Sequence, residues 1–242
     1  EIERRAADEL ARGAAGVFLC VGDTPDVEQV LFGADGIAAG LTRGALVLDC
    51  TTIAPEAEER FAARLAERGA RYLDAPVTGG QKGAIEGTLT FIVGGDAGDL
   101  ARARPWLEAM GKKIVHAGPL GSGQKLKLVN QIVCAIHLLA LSEAFAAVRA
   151  QGLDPAQARE LLISGAARSW ALEVYGEKIL NGDYAPGFSV KWQAKDIRIA
   201  LDAARQLGLT LPGTETAAAQ LAAAVRRGWG EEGVHALCKL FA

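Results

Sequence analysis

The pattern of apolar and polar positions changes near residue 120. Before it, apolar runs of strand length alternate with amphipathic segments of helical period. GVFLCVG (16–22), ALVLDC (45–50), ARYLDAP (70–76), TLTFIVGG (88–95) and KIVHAG (113–118) are predicted strands. TPDVEQVLFG (24–33) is a predicted helix, with Val27, Val30 and Leu31 on one stripe. APEAEERFAARLAERG (54–69) has Pro55 in its first turn and Gly69 at its end, and GDLARARPWLEAMG (98–111) is a third helix. Strand–helix alternation predicts an α/β sheet with largely parallel early strands, and the unbroken apolar runs predict cover on both faces.

From 121 onward no strand pattern is found. Ala, Leu, Glu and Arg recur at helical spacing, with breaks at GLDP (152–155), NGDYAPGF (181–188), QLGLTLPGT (206–214) and RGWGEEG (227–233). The predicted domains are residues 1–120, α/β, and residues 121–242, all-helical, joined at GPLGSG (118–123). A helix over 124–149 is apolar nearly all round and is expected to lie between packed layers. Its most apolar part, 128–141, is too short to span a bilayer.

Half of the 242 residues are hydrophobic and 23% are charged, enough for a sizeable core. A net charge of -3 without a basic cluster argues against nucleic acid and against a membrane surface as partners. Cys20, Cys50, Cys134 and Cys238 are far apart in apolar runs, which predicts buried thiols in a reducing, cytoplasmic setting. No signal-peptide pattern opens the chain. His116, His137 and His235 offer no ligand pair on one face, so no metal is expected.

The stretch GSGQKLKLVNQ (121–131) places two lysines at the start of the greasiest helix. Residues three and four apart share a face, so Lys127 lies with Asn130, Gln131 and Cys134, whereas Lys125 lies with Leu128 and Val129 in the first turn. Burial and the positive helix end both lower a lysine's pKa, which suits Lys127 to proton transfer near neutral pH. The alternative is two snorkelling surface lysines. In DAPVTGG (74–80), the residues Thr78, Gly79 and Gly80 follow a strand end and can turn N–H groups and a hydroxyl toward a carboxylate. In DCTTIAP (49–55), Thr51 or Thr52 is expected to cap the next helix or to touch a ligand. In PGFSVKWQAKDIRIALDAA (186–204), Lys195 and Asp196 alone look like surface charges.

Together these stretches resemble the β-hydroxyacid dehydrogenase family, the group of 3-hydroxyisobutyrate dehydrogenase and 2-hydroxy-3-oxopropionate reductase. DAPVTGG is similar to its substrate-loop signature, with Thr78 in place of the usual serine. GSGQKLKLVN is similar to its G-x-G-x-x-x-K-x-x-N signature, and AKD (194–196) to a K-D near the cofactor. The resemblance runs through essentially the whole chain. It implies a Rossmann-like domain followed by an all-α domain, and an NAD- or NADP-dependent 3-hydroxy acid dehydrogenase or semialdehyde reductase. By the same resemblance Lys127 is the general acid/base and Asn130 its companion on the substrate. Thr78, Gly79 and Gly80 hold a carboxylate, while Val21, Gly22, Thr51, Lys195 and Asp196 contact the cofactor. The implied partners are a small hydroxy acid or semialdehyde and further copies of the chain, as a homodimer or homotetramer. Trp170, Trp192 and Tyr175 are candidates for the pocket lining, and Trp229 for an interface or the core.

The family opens with a strand, a G-x-G-x-x-G turn and a helix, and no such unit is found at the start of this chain. The run at 16–22 resembles the family's fourth strand, so about sixty residues, two βα units, are expected to be absent. They would carry the pyrophosphate turn and the residue that selects NAD or NADP. The alternatives are a truncated or degenerate non-catalytic dimerisation module, and an imine reductase on the same scaffold, which usually lacks the lysine.

Overall fold

The structure is a computed structural model and describes residues 6–241. The first three apolar runs become β1 (Gly16–Leu19), β2 (Leu46–Asp49) and β3 (Arg71–Asp74), which pair in parallel in that order. Helix α1 (Ala7–Ala11) precedes β1, α2 (Thr24–Phe32) and α3 (Ile37–Gly40) join β1 to β2, and α4 (Pro55–Ala66) joins β2 to β3. Asp23 starts α2 through a capping box with Asp26, just before Pro25. All four residues of β2 are buried because side chains on both faces are covered. Val47 and Tyr72 pack with Val27, Leu31, Phe61 and Leu65. Leu46, Leu48 and Leu73 pack on the opposite side with Leu100, Ala103 and Leu107.

The strand expected over 70–76 is β3, which ends at Asp74. The Ala75 N–H still bonds the Asp49 carbonyl at 2.7 Å, continuing the parallel ladder. Pro76 has no N–H to extend it. Its carbonyl instead accepts the Ile92 N–H at 2.9 Å. The chain thereby turns into β4 (Val77–Thr78), antiparallel to β5 (Leu89–Gly94), with Thr78 opposite Thr90. Between them lies the short helix α5 (Gly80–Ile85). Helix α6 (Ala97–Met110), capped by Asp96, leads to β6 (Gly111–Gly118), which pairs in parallel with β5. Among the described residues the sheet therefore has six strands, ordered β1-β2-β3-β5-β4 with β6 beside β5.

Helix α7 (Ser122–Ala150) begins in this unit, and the chain divides into its two compact units between Leu128 and Val129. In the second unit, α7 is followed by α8 (Pro155–Ser164), α9 (Trp170–Leu180), α10 (Val190–Gln206), α11 (Pro212–Arg226) and a 3-10 helix (Val234–Phe241). Asp154 and Ser169 cap α8 and α9. One cluster unites Ala135, Leu138, Ile197, Leu221 and Leu237, and a second unites Leu141, Phe145, Leu172, Ile179 and Cys238. Trp229 is half-buried against the first cluster, with Arg227 and Lys239 over its ring. The letters G-x-G-x-x-G do occur, at 228–233, but between α11 and the 3-10 helix. There the Gly230 and Glu232 carbonyls accept N–H groups from the first turn of α10, a structural closure and not a nucleotide turn.

Two expectations are corrected. Helix α7 is not enclosed on all sides: Leu126, Val129, Val133 and Ile136, spaced at three and four residues, are each a third or more exposed. At 29 residues, with an 18-residue window of mean hydropathy 1.8, it is also long and apolar enough to cross a bilayer by those two criteria alone. Buried Gln131 and Ser142 on it belong to polar contacts within the protein. Of the four cysteines, Cys238 alone is buried; Cys50 and Cys134 are half-buried, and Cys20 is exposed where the chain leaves β1. Phe145 is fully buried. Phe145→Ala is therefore expected to cost about 3–5 kcal/mol, read as a lowered denaturation midpoint with an unchanged slope.

Candidate functional site

In the N-terminal unit the candidate residues gather where β1, β2 and β3 end. The Thr51 hydroxyl accepts the Val21 N–H at 3.1 Å, which ties the loop after β2 to the loop after β1. Thr51 is almost completely buried, and its own N–H bonds Asp49 Oδ1 at 2.8 Å. The expected helix cap is not made by either threonine: Ala54 occupies the N-cap of α4 without a side-chain bond, and its N–H goes to the Thr24 hydroxyl. Val21 is 39% exposed, and Gly22 follows it in the same loop.

Beneath these loops lies a polar layer that no local pattern of residues announces. Asp49, Glu58 and Asp74 are all fully buried. The Tyr72 hydroxyl lies 2.5 Å from Glu58 Oε2 and 3.3 Å from Asp49 Oδ2. One hydroxyl proton cannot serve both acceptors, so one carboxyl must bring its own. Burial, reinforced by the nearby Asp49 charge, pushes the Glu58 carboxyl well above its usual range. Burial also lifts Asp49 to about 6, against the pull of its bonds to Thr51 and Tyr72. A protonated Glu58 donating to Tyr72, with Tyr72 donating to Asp49, satisfies every group.

Gln124 joins this layer to α7. Its Nε2 donates to Glu58 Oε1 and to the Thr51 carbonyl, both at 2.6 Å, and its Oε1 accepts the Ile53 N–H at 3.3 Å. Asp74 completes the junction: Oδ1 accepts the Gly121 N–H and Oδ2 the Gln124 N–H, each at 2.8 Å. A carboxylate from β3 thus does what a local N-cap does elsewhere, meeting orphan N–H groups at the positive helix end. The first unit's core presses closely on it. A Cβ at Gly123 would collide with the Ile92 carbonyl and stand 2.6 Å from Asp74 Oδ2.

One turn beyond Gln124, Lys127 is 7% exposed, whereas Lys125 is exposed. Burial therefore separates the two lysines as the face argument predicts. Thr78 lies in β4, and the expected loop of Thr78-Gly79-Gly80 is a strand end running directly into α5. Gly79 and Gly80 have φ of 127° and 62°, which side chains rarely adopt.

In the C-terminal unit, Asn130 Nδ2 donates to Gln131 Oε1 at 2.8 Å and faces Cys134 Sγ at 3.6 Å. Gln131 Nε2 donates to Asp196 Oδ2 at 2.6 Å, and Asp196 Oδ1 pairs with Lys195 Nζ at 2.9 Å. Lys195 and Asp196 are thus not surface charges: their side chains are 11% and 2% exposed. Lys195 also lies 5.9 Å from the Trp192 ring centre. Of the other aromatic candidates, Trp170 is 52% exposed and packs edge-on against Tyr175, which stacks on His235. Among the described residues, no cluster of His, Cys, Asp and Glu suits a metal.

Two family models match the chain. Residues 2–118 match the NAD binding domain of 6-phosphogluconate dehydrogenase, and residues 121–241 match the NAD-binding model of NADP-dependent 3-hydroxyisobutyrate dehydrogenase. The 2-hydroxy-3-oxopropionate reductase of Escherichia coli K12 is 42% identical over 210 residues, 87% of this chain and 72% of that protein. The chain belongs to the β-hydroxyacid dehydrogenase family. The 3-hydroxyisobutyrate dehydrogenase of Pseudomonas aeruginosa is 38% identical over 214 residues, 86% of this chain and 72% of its own. A crystal structure of 3-hydroxyisobutyrate dehydrogenase from Salmonella typhimurium superimposes with a TM-score of 0.91 at 29% identity, covering 97% of this chain and 82% of that one. As a β-hydroxyacid dehydrogenase family member, the protein is an oxidoreductase whose cofactor is NAD or NADP.

Two outcomes follow for the polar layer of this dehydrogenase. Asp49 has a folded pKa of about 6, above its unfolded value, so the folded state binds its proton more tightly. The stability this gives is complete below about pH 4 and is lost as pH rises through about 6. Melted beside Asp49→Asn, the wild type should lose about 2–3 kcal/mol of relative stability between about pH 4 and pH 7. Gly123→Ala should destabilise by roughly 2 kcal/mol or more in urea denaturation, although Gly→Ala inside an unhindered helix stabilises by about 1 kcal/mol.

Proposed function

We propose that the protein is an NAD(P)-dependent 3-hydroxy acid dehydrogenase or semialdehyde reductase in which Lys127 moves the proton. The observation that carries this reading is the burial of Lys127 beside an exposed Lys125. Removing an amine from water is costly, so a lysine kept buried this close to the start of the helix is the candidate to hold and pass a proton. In oxidation the Lys127 amine takes the hydroxyl proton; in reduction its ammonium returns a proton to the carbonyl oxygen. Asn130, three residues along the same helix, is the proposed hydrogen-bonding amide for the same part of the substrate.

The residues present fit the nicotinamide end of the cofactor. Val21 exposes an apolar edge and its backbone is fixed by Thr51 at the strand ends, the position where open α/β sheets take ligands. Val21, Gly22 and Thr51 are the proposed contacts in the first unit, and Lys195 with Asp196 those in the second. When bound, the cofactor would supply the hydride chemistry at the substrate's carbinol carbon in oxidation or carbonyl carbon in reduction. Thr78, Gly79 and Gly80 are proposed to hold the substrate carboxylate, supported by the glycine-only backbone at 79 and 80. The substrate class is a small hydroxy acid or its semialdehyde, in keeping with the names of the relatives. The apolar stripe on α7 supports assembly as a homodimer or homotetramer.

The test is nicotinamide absorbance during turnover of 3-hydroxyisobutyrate and 2-hydroxy-3-oxopropionate with each cofactor. Lys127→Ala should lower kcat about a hundredfold or more, with the melting temperature little changed. Turnover by that variant at the wild-type rate would remove Lys127 from the mechanism.

A further inference from the structure

The two sequence motifs meet at Asp74 and Gln124. Asp74 opens DAPVTGG, and its carboxylate holds the Gly121 and Gln124 N–H groups of GSGQKLKLVN. Gln124 then spends both amide hydrogens and its oxygen on the Thr51 carbonyl, Glu58 and the Ile53 N–H. The first turn of α7 is therefore bonded to the end of β3, which leads to Thr78, and to the loop after β2, which carries Thr51. Lys127 follows Gln124 by three residues, on the same face. Gln124 and Glu58 are fully buried, so these bonds have no water to replace them. Apolar side chains could fill the same space at lower cost in desolvation, and a fully bonded polar layer fixes one geometry where they would permit several.

We propose that Gln124, held by Glu58 and by Asp74, is the positioning residue that sets Lys127 against the loops carrying Thr51 and Thr78. This rests on Lys127 being the proton-transfer group. The G-x-G of the second motif belongs to the same device: Gly123 lets the Asp74 carboxylate approach the helix backbone, a packing role and not a phosphate cradle.

The experiment uses Gln124→Met, which keeps the volume and removes three bonds. Two readouts are taken from the whole chain: kcat, and the rate of reductive methylation of Lys127 relative to exposed Lys125, followed by peptide mass spectrometry. The expected result is a tenfold or greater fall in kcat, a KM for the hydroxy acid within about threefold, and several-fold faster labelling of Lys127. Either kcat or labelling left at the wild-type value in a folded variant overturns the proposal. If Gln124→Met does not fold, Glu58 decides. Glu58→Gln keeps the bonding pattern of a protonated Glu58 and should restore the kcat and labelling that Glu58→Leu loses; equal values in both variants overturn the proposal. If the wild type turns over no hydroxy acid, the proposed function falls, and the labelling arm alone decides the positioning role.

Discussion

Asp74 is a carboxylate with no access to water and two helix N–H groups in front of it. Burial raises its pKa, and those N–H groups oppose the rise. Much of the N-terminal unit is arranged to keep this one contact. The strand must stop at Asp74, so Pro76 ends the parallel ladder and turns the chain onto β5. Gly94 must lack a side chain where it lies opposite Asp74, and Gly123 must lack one where the helix crosses it. The helix then needs no cap of its own, and its opening turn is left to carry Gln124.

The polar layer shows how acidic groups survive inside a sheet. Asp49 and Tyr72 face the α4 side, on the same face as Val47, and Glu58 descends from α4 to meet them. The Tyr72 hydroxyl bridges the two carboxyls, and burial favours one of them keeping its proton. Desolvation disfavours a second charge so strongly that retaining a proton on Glu58 is the lower-energy solution. The C-terminal unit uses the other solution, pairing buried Asp196 with Lys195 and a glutamine.

The alternation of apolar runs was enough to place the strands and the change to helices, because burial on both faces leaves a continuous signal. The distinction between Lys125 and Lys127 was legible too, from helical spacing alone. What stayed hidden was anything that depends on strand pairing. Pro76 reads as a turn, but only the ladder shows that it redirects the strand to β5. Glu58 reads as one acid among several on an amphipathic helix, and Gln124 as a spacer between Gly123 and the lysines. Both acquire meaning from partners far away in sequence. Lys195 and Asp196 misled for the same reason: charge suggests surface, and only tertiary packing reveals a buried pair. The one local sign was the glycine at 123, inside a helix where an alanine would otherwise serve better.

The bonds from Gln124 and Gly121 span 47 to 73 residues of chain. Contacts of such separation form after local ones, since the loop between them must close first. Helix α7 can therefore coil early, from its own alanines and leucines, while its opening turn waits uncapped for β2 and β3 to come together. The amine proposed to handle the proton, Lys127, is then the last part of the helix to find its place. Recovery of turnover during refolding should accordingly lag the recovery of helix content, making catalysis a clock for completion of the sheet.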